Sequence, residues 1–116
     1  FCDATTKVVV GFEISGHAGS AEYGSDIVCA SISVLAINTQ NAIKKFCQDK
    51  FLQDFDDKTG YMKFRIKGTP SHDASLLLAA AYFGFENIAE KYDTFVTMKI
   101  KEVKHHVKNE PSIFRS

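Results

Sequence analysis

Between Val8 and Ser15 apolar Val10, Phe12 and Ile14 alternate with polar Glu13 and Ser15, the two-residue period of a half-buried strand. Asp3-Ala4-Thr5-Thr6 ahead of it supplies turn residues, so a hairpin is expected at the start. Phe1-Cys2-Asp3 reads as the end of a strand already under way, with some residues missing before it. From Gly16 to Asp26 the alternation gives way to glycines (Gly16, Gly19, Gly24) and small residues, which mark a mobile loop. Ile27 to Cys47 then contains neither Gly nor Pro, and Val28, Ile32, Leu35, Thr39, Ala42, Ile43 and Phe46 recur at helical spacing. This predicts a long amphipathic helix, with Ser25 or Asp26 capping its first amides.

Phe51–Phe55 and Tyr61–Lys67 flank Asp57-Lys58-Thr59-Gly60, and the second segment sets Met62, Phe64 and Ile66 against Lys63, Arg65 and Lys67. A β-hairpin is expected there. Thr69-Pro70-Ser71 offers a cap and a proline for a second helix, alanine-rich from Leu76 to Tyr92 and slightly weakened by Gly84. Phe95 to Val103 alternates again, with Val96, Met98 and Ile100 facing inward in a last strand. The order hairpin, helix, hairpin, helix, strand predicts an α+β two-layer domain, both helices packed on one face of a mostly antiparallel sheet. Residues 1–103 form that single domain, and 104–116 read as a polar, flexible C-terminal tail.

Composition narrows the function classes. At 116 residues and 45% hydrophobic content, one soluble globular domain is the expectation. Fourteen basic residues balance fourteen acidic ones, so no global field directs the chain to nucleic acid or an anionic membrane. No apolar run approaches the roughly 20 residues a bilayer span needs, and the start lacks a signal-peptide layout, so a cytoplasmic protein is expected. Three cysteines without a C-x-x-C spacing argue against a disulfide framework or zinc site. No metal or cofactor is called for.

The chemistry worth weighing centres on Cys29 and His17. A cysteine attacks as the thiolate and needs a lowered pKa and a nearby base. Cys29 falls in the first turn of the expected helix, where free amides and the macrodipole favour a negative sulfur and could hold an oxyanion. His17 lies 12 residues earlier, where the strand enters the loop, and that loop must turn back to feed the helix. Asp26 and Ser33, three before and four after Cys29, share its helix face. Asp26 would either orient a protonated His17 or, as a negative neighbour, raise the thiol pKa. Against this stands the plainer reading of an inert core cysteine and a surface histidine, and spacing alone does not decide between them.

The run Gly16-His17-Ala18-Gly19-Ser20-Ala21-Glu22-Tyr23-Gly24-Ser25-Asp26-Ile27-Val28-Cys29-Ala30 closely resembles the signature of the ribosomal-processing cysteine protease family, Prp. The likeness is strong from Gly16 to Ser33, and the order of elements fits over roughly 8–103. It implies a bacterial, cytosolic homodimer that removes the short N-terminal extension of ribosomal protein number twenty-seven of the large subunit. Cleavage would follow a pair of phenylalanines and precede a small residue. On the matched positions His17 is the base and Cys29 the nucleophile, Asp26 and Ser33 lie close to the dyad, and Gly16, Gly19 and Gly24 belong to a substrate loop. Family members often carry an aromatic residue at the position of Ser20 and a lysine at that of Ser25, so the resemblance does not carry over substrate contacts made from the loop.

The remaining candidates read as structural. Cys2 and Cys47 have no histidine near them in sequence, His72 would help cap the second helix, and His105 and His106 belong to the tail. Asp54, Asp56 and Asp57 do not match a calcium loop. Lys63, Arg65 and Lys67, with Lys99 and Lys101, would put positive charge on an outer sheet face. From that face comes the alternative, a non-enzymatic ribosome- or RNA-associated binding module. A third reading, a thiol redox sensor, rests on the same activated cysteine. The protease requires neither membrane nor direct nucleic-acid contact.

Overall fold

The computed structural model describes residues 1–3, 6–15, 23–94 and 96–103, with side chains of 23–26 left aside. The elements are β1 (Cys2–Asp3), β2 (Gly11–Ile14), α1 (Tyr23–Phe46), β3 (Phe51–Asp56), β4 (Tyr61–Ile66), α2 (His72–Lys91) and β5 (Glu102–Val103). An antiparallel sheet runs β2-β4-β3, and β1 pairs with β5 in parallel. The α+β class is as expected.

The alternation of β4 builds the core. Met62, Phe64 and Ile66 are 5%, 0% and 2% exposed, so this face of the central strand lies wholly against the helices. Phe12 of β2 stands directly opposite Phe64, and Ala36 and Ile43 of α1 and Ala74 and Leu78 of α2 join the same buried cluster. Gly11 is fixed by close approach: a Cβ there would overlap the Phe64 carbonyl oxygen and come within 2.7 Å of Arg65 Cα. At Gly84 a Cβ would sit 2.6 Å from Leu35 Cδ2, the end of a flexible side chain that can shift, so this position is less constrained than Gly11.

The first hairpin is present in its hydrogen bonds. Asp3 N–H donates to the Val8 carbonyl and Val10 N–H to that of Phe1, each at 2.8 Å, and Cys2 and Val9 form an antiparallel bridge. The second hairpin follows its alternation from Phe51 to Ile66, closed by Gly60 N–H donating to Asp56 O at 2.9 Å.

Three local expectations change. First, α1 starts at Tyr23, four residues before Ile27, so Gly24, Ser25 and Asp26 are helical and neither Ser25 nor Asp26 is the cap. One glycine costs a helix only about 1 kcal/mol, and an acidic residue in the first turn complements the macrodipole, so a long helix absorbs this segment. Second, Ser71 rather than His72 caps α2: its Oγ accepts from Ala74 N–H at 3.1 Å and donates to Asp49 Oδ1 at 2.6 Å. Pro70 precedes that cap, and His72 is the first helical residue, with Nδ1 3.2 Å from Asp73 Oδ1.

Third, the last strand shrinks to Glu102–Val103, and Ile100 is 62% exposed instead of inward. A strand exists only where a partner edge exists, and β1 offers two residues, Cys2 opposite Glu102 and Asp3 opposite Val103. The tail after Val103, with His105 and His106, lies outside the described residues.

Candidate active site

Helix α1 determines where Cys29 sits. Counting from Tyr23, Cys29 is the seventh helical residue, in the second turn rather than the first. The amides without an intrahelical acceptor belong to the first four residues, and the macrodipole acts mainly within one turn of the end. The expected place in the first turn is therefore corrected by one turn. A helical side chain leans toward the N-terminus, so Cys29 still leans toward that first turn.

Cys29 is a free, partly exposed thiol, whereas Val28 beside it is 1% exposed. Ser33, also partly exposed, stands one helical turn further on along the same face. Asp26 is helical, three residues before Cys29. Gly24, expected in the loop, is the second residue of α1. His17, Gly16 and Gly19 lie outside the described residues.

The rotation and level of α1 are pinned by a contact that the sequence reading missed. Gln40, 3% exposed, approaches Met62 Sδ through Nε2 at 2.9 Å, and Gln53 Nε2 donates to its Oε1. The signal was available, because Gln40 falls on the apolar stripe with Ala36 and Ile43 at helical spacing. At the other end Lys44 Nζ lies 5.6 Å from the centroid of the Phe51 ring. As residue numbers fall along α1 they rise along β3, so the helix runs antiparallel to that strand. Cys29, 11 residues before Gln40, stands about 16 Å further along the axis, toward the end of the sheet formed by Ile14, Met62 and Phe55. Strand β2 also ends there, at Ile14.

The outer sheet face is mixed in charge. Lys63 lies between Glu13 on β2 and Asp54 on β3, and Lys101 Nζ is 3.3 Å from Glu13 Oε1. Tyr61 donates to Glu13 Oε2 at 2.6 Å, which pushes its phenol up to about 12 and, reciprocally, holds the Glu13 carboxyl below its ordinary value. Lys63, Arg65 and Lys101 gather 5.6, 5.9 and 5.8 Å from the Phe1 ring centroid, but interleaved acids break any continuous basic stripe.

Elsewhere, burial pushes the Cys47 thiol up, the opposite of what a nucleophile needs. Among the described residues no group of three or more His, Cys, Asp or Glu side chains is placed to hold a metal ion. No described helix is long and apolar enough to cross a membrane.

The ribosomal processing cysteine protease Prp of Staphylococcus aureus is 31% identical over 88 residues, covering 76% of this chain and 83% of that protein. The crystal structure of S. aureus Prp in complex with a substrate peptide superposes with a TM-score of 0.79 at 27% identity, covering 86% of this chain and 94% of the other. A crystal structure of a Streptococcus mutans protein matches with a TM-score of 0.75 at 35% identity, covering 84% and 88%. The model of the family described as cysteine protease Prp matches residues 1–97, and the chain therefore belongs to that family.

Proposed function

We propose that the chain is a cysteine endopeptidase in which Cys29 is the nucleophile and His17 the general base. Its substrate is the precursor of ribosomal protein number twenty-seven of the large subunit, cut after a Phe-Phe pair to remove the N-terminal extension. The observation that carries this reading is the place of Cys29: a partly exposed thiol near the start of α1, at the end of the sheet where β2 stops two residues before Gly16.

From Ile14 to His17 three residues of extended chain cover about 10 Å, and the imidazole and thiol side chains add to that reach. With the thiol a full turn inside the helix, deprotonation rests chiefly on the base. His17 takes the proton from Sγ, the thiolate attacks the carbonyl carbon after the aromatic pair, and the imidazolium returns the proton to the departing amine. Water, activated by the same imidazole, then hydrolyses the thioester and frees Sγ. Asp26 and Ser33, three before and four after Cys29, support the dyad, and the segment holding Gly16, Gly19 and Gly24 contacts substrate backbone.

A peptide spanning a Phe-Phe-Ala junction should be cut by the protein into two products, one ending in Phe-Phe, as read by mass spectrometry. An intact peptide after prolonged incubation under reducing conditions would refute the proposed specificity.

The enzyme acts as a cytoplasmic homodimer in this reading. Ile27–Ile43 contains no charged residue, yet Ile27, Val34 and Ile37 are 51%, 68% and 47% exposed. Ala30, Ser31, Val34, Leu35 and Asn38 form one shallow, open face of this helix. Large apolar side chains left exposed on an uncharged helix face invite cover, and a second copy supplies it. Val34→Lys should convert a dimeric sedimentation profile to a monomeric one. A wild-type protein that sediments as a monomer at micromolar concentration would sink the dimer.

A further inference from the structure

Strand β3 ends the sheet: among the described residues it pairs with β4 and with no other strand. Phe51–Asp56 has six residues, contains no proline, glycine or lysine, and is exposed at every position after the first. Natural sheet edges are usually shortened, charged with lysine, bulged or covered, because a bare row of amides and carbonyls templates another strand. The strand is neither short nor bulged, and the charges it carries are two carboxylates, Asp54 and Asp56.

The hydrogen-bond alternation shows which groups are available. Lys67 N–H donates to Lys50 O at 2.8 Å, whereas Ile66 N–H donates the other way, to Val10 O at 2.9 Å. Stepping by two from Lys50, residues Leu52 and Asp54 turn their backbone groups toward β4. Phe51, Gln53 and Phe55 therefore turn theirs to the open edge.

The side chains along this edge are sorted by face. Phe55, opposite Met62, lies on the helix side and is 61% exposed; Leu52, Asp54 and Asp56 lie on the other side. Among the described residues neither Asp54 nor Asp56 has an ion-pair partner within 4 Å, although Lys63 stands opposite Asp54 on β4, Asp56 Oδ1 accepts from Lys58 N–H at 2.9 Å, and in the turn Asp57 is followed by Lys58. A second copy of β3 would bring like charges onto this edge. An incoming strand that alternates apolar and cationic residues would set its apolar side chains beside Phe55 and its cations beside Asp54 and Asp56.

We infer that the β3 edge is an exosite for the polypeptide substrate: a basic, extended segment outside the cleaved junction adds to the sheet as a fourth strand. This rests on the protease reading, and the direction of the edge connects the two. A strand laid along β3 past Phe55 leads to the same end of the sheet as Cys29. Main-chain pairing holds the segment, and the acidic side chains select its charge.

The test compares two peptides with the same Phe-Phe-Ala junction, one short and one extended by a Lys-Val-Lys-Val-Lys segment, placed on either side of the junction in separate versions. In one of these versions the extension should lower KM about tenfold on the wild-type protein, as two or three favourable cross-strand pairs plus edge hydrogen bonds would give. Asp54→Lys and, separately, Phe55→Pro, which removes an outward amide without breaking a bond to β4, should bring the KM ratio of the two peptides close to one. A wild-type ratio near one in both versions, or a ratio untouched by both substitutions, overturns the exosite. So does a Phe55→Pro effect confined to oligomeric mass, which would assign the edge to a second copy. If neither peptide is cut, the protease reading fails by itself. The exosite then stands or falls on fluorescence polarisation of the labelled basic segment: binding lost in Phe55→Pro upholds it, and no binding to wild type refutes it.

Discussion

Cys29→Ala should lower kcat/KM for a peptide with a Phe-Phe-Ala junction by at least about 10³-fold, because removal of a covalent nucleophile leaves only binding and oxyanion stabilisation. The fold should be unaffected. Cys29 is partly exposed on a helix of 24 residues, and alanine is the best helix former, so the loss of a half-buried sulfur is offset locally. Circular dichroism and the urea midpoint of the variant should match wild type, which separates lost chemistry from lost structure.

Cys29→Ser gives a second handle. A hydroxyl in the same place is far less acidic than a thiol, and a helix terminus a full turn away contributes little to ionising it, so this variant should also be inactive. A covalent acyl adduct, detected by mass shift in the wild type and absent in both variants, would identify the attacking atom directly. Normal turnover by Cys29→Ala would refute the assignment of the nucleophile, whatever peptide is used.

The same helix shows what a sequence discloses and what it withholds. The family was legible, since the run Gly16 to Ser33 resembles the signature of the family to which the chain belongs. The helical turn of Cys29 was not. Gly24, Ser25 and Asp26 have low helix propensity and read as loop, but tertiary packing of a long apolar helix outweighs a deficit of about 1–2 kcal/mol. The hairpin of Phe51–Ile66 was legible because alternation and turn residues agree, and both are local.

The last strand was not legible for the opposite reason. Its alternation is genuine, but strand formation depends on β1, nearly 100 residues away, which meets it over two residues only. Gln40 illustrates a third case: a polar residue on an apolar stripe signals a buried contact, and the sequence does not say that the contact is with Gln53 and Met62. It is this contact that fixes the level of α1 against the sheet and hence the end of the domain at which Cys29 stands.

Phe64→Ala should cost about 3–5 kcal/mol, the usual range for a buried aromatic truncated to a methyl group. Phe64 is fully buried on the central strand, with its ring 5.9 Å from that of Phe12 and 5.1 Å from that of Phe51. Truncation opens a void between β4 and both helices, and the neighbouring strands, hydrogen-bonded on either side of β4, have little freedom to close it. Set against a total stability of about 5–15 kcal/mol for a domain of this size, the variant would be marginal at room temperature. Leu76→Ala is the matched control, because Leu76 is 61% exposed on α2 and its loss should move the urea midpoint little. The two variants also separate stability from chemistry. Phe64→Ala should lose activity in parallel with its folded fraction and regain it at low temperature or in a stabilising osmolyte, whereas Cys29→Ala should regain nothing under either condition. A loss below about 1 kcal/mol for Phe64→Ala would mean that the helix layer does not press on the centre of β4, and the level assigned to Cys29 relative to the sheet would fall with it.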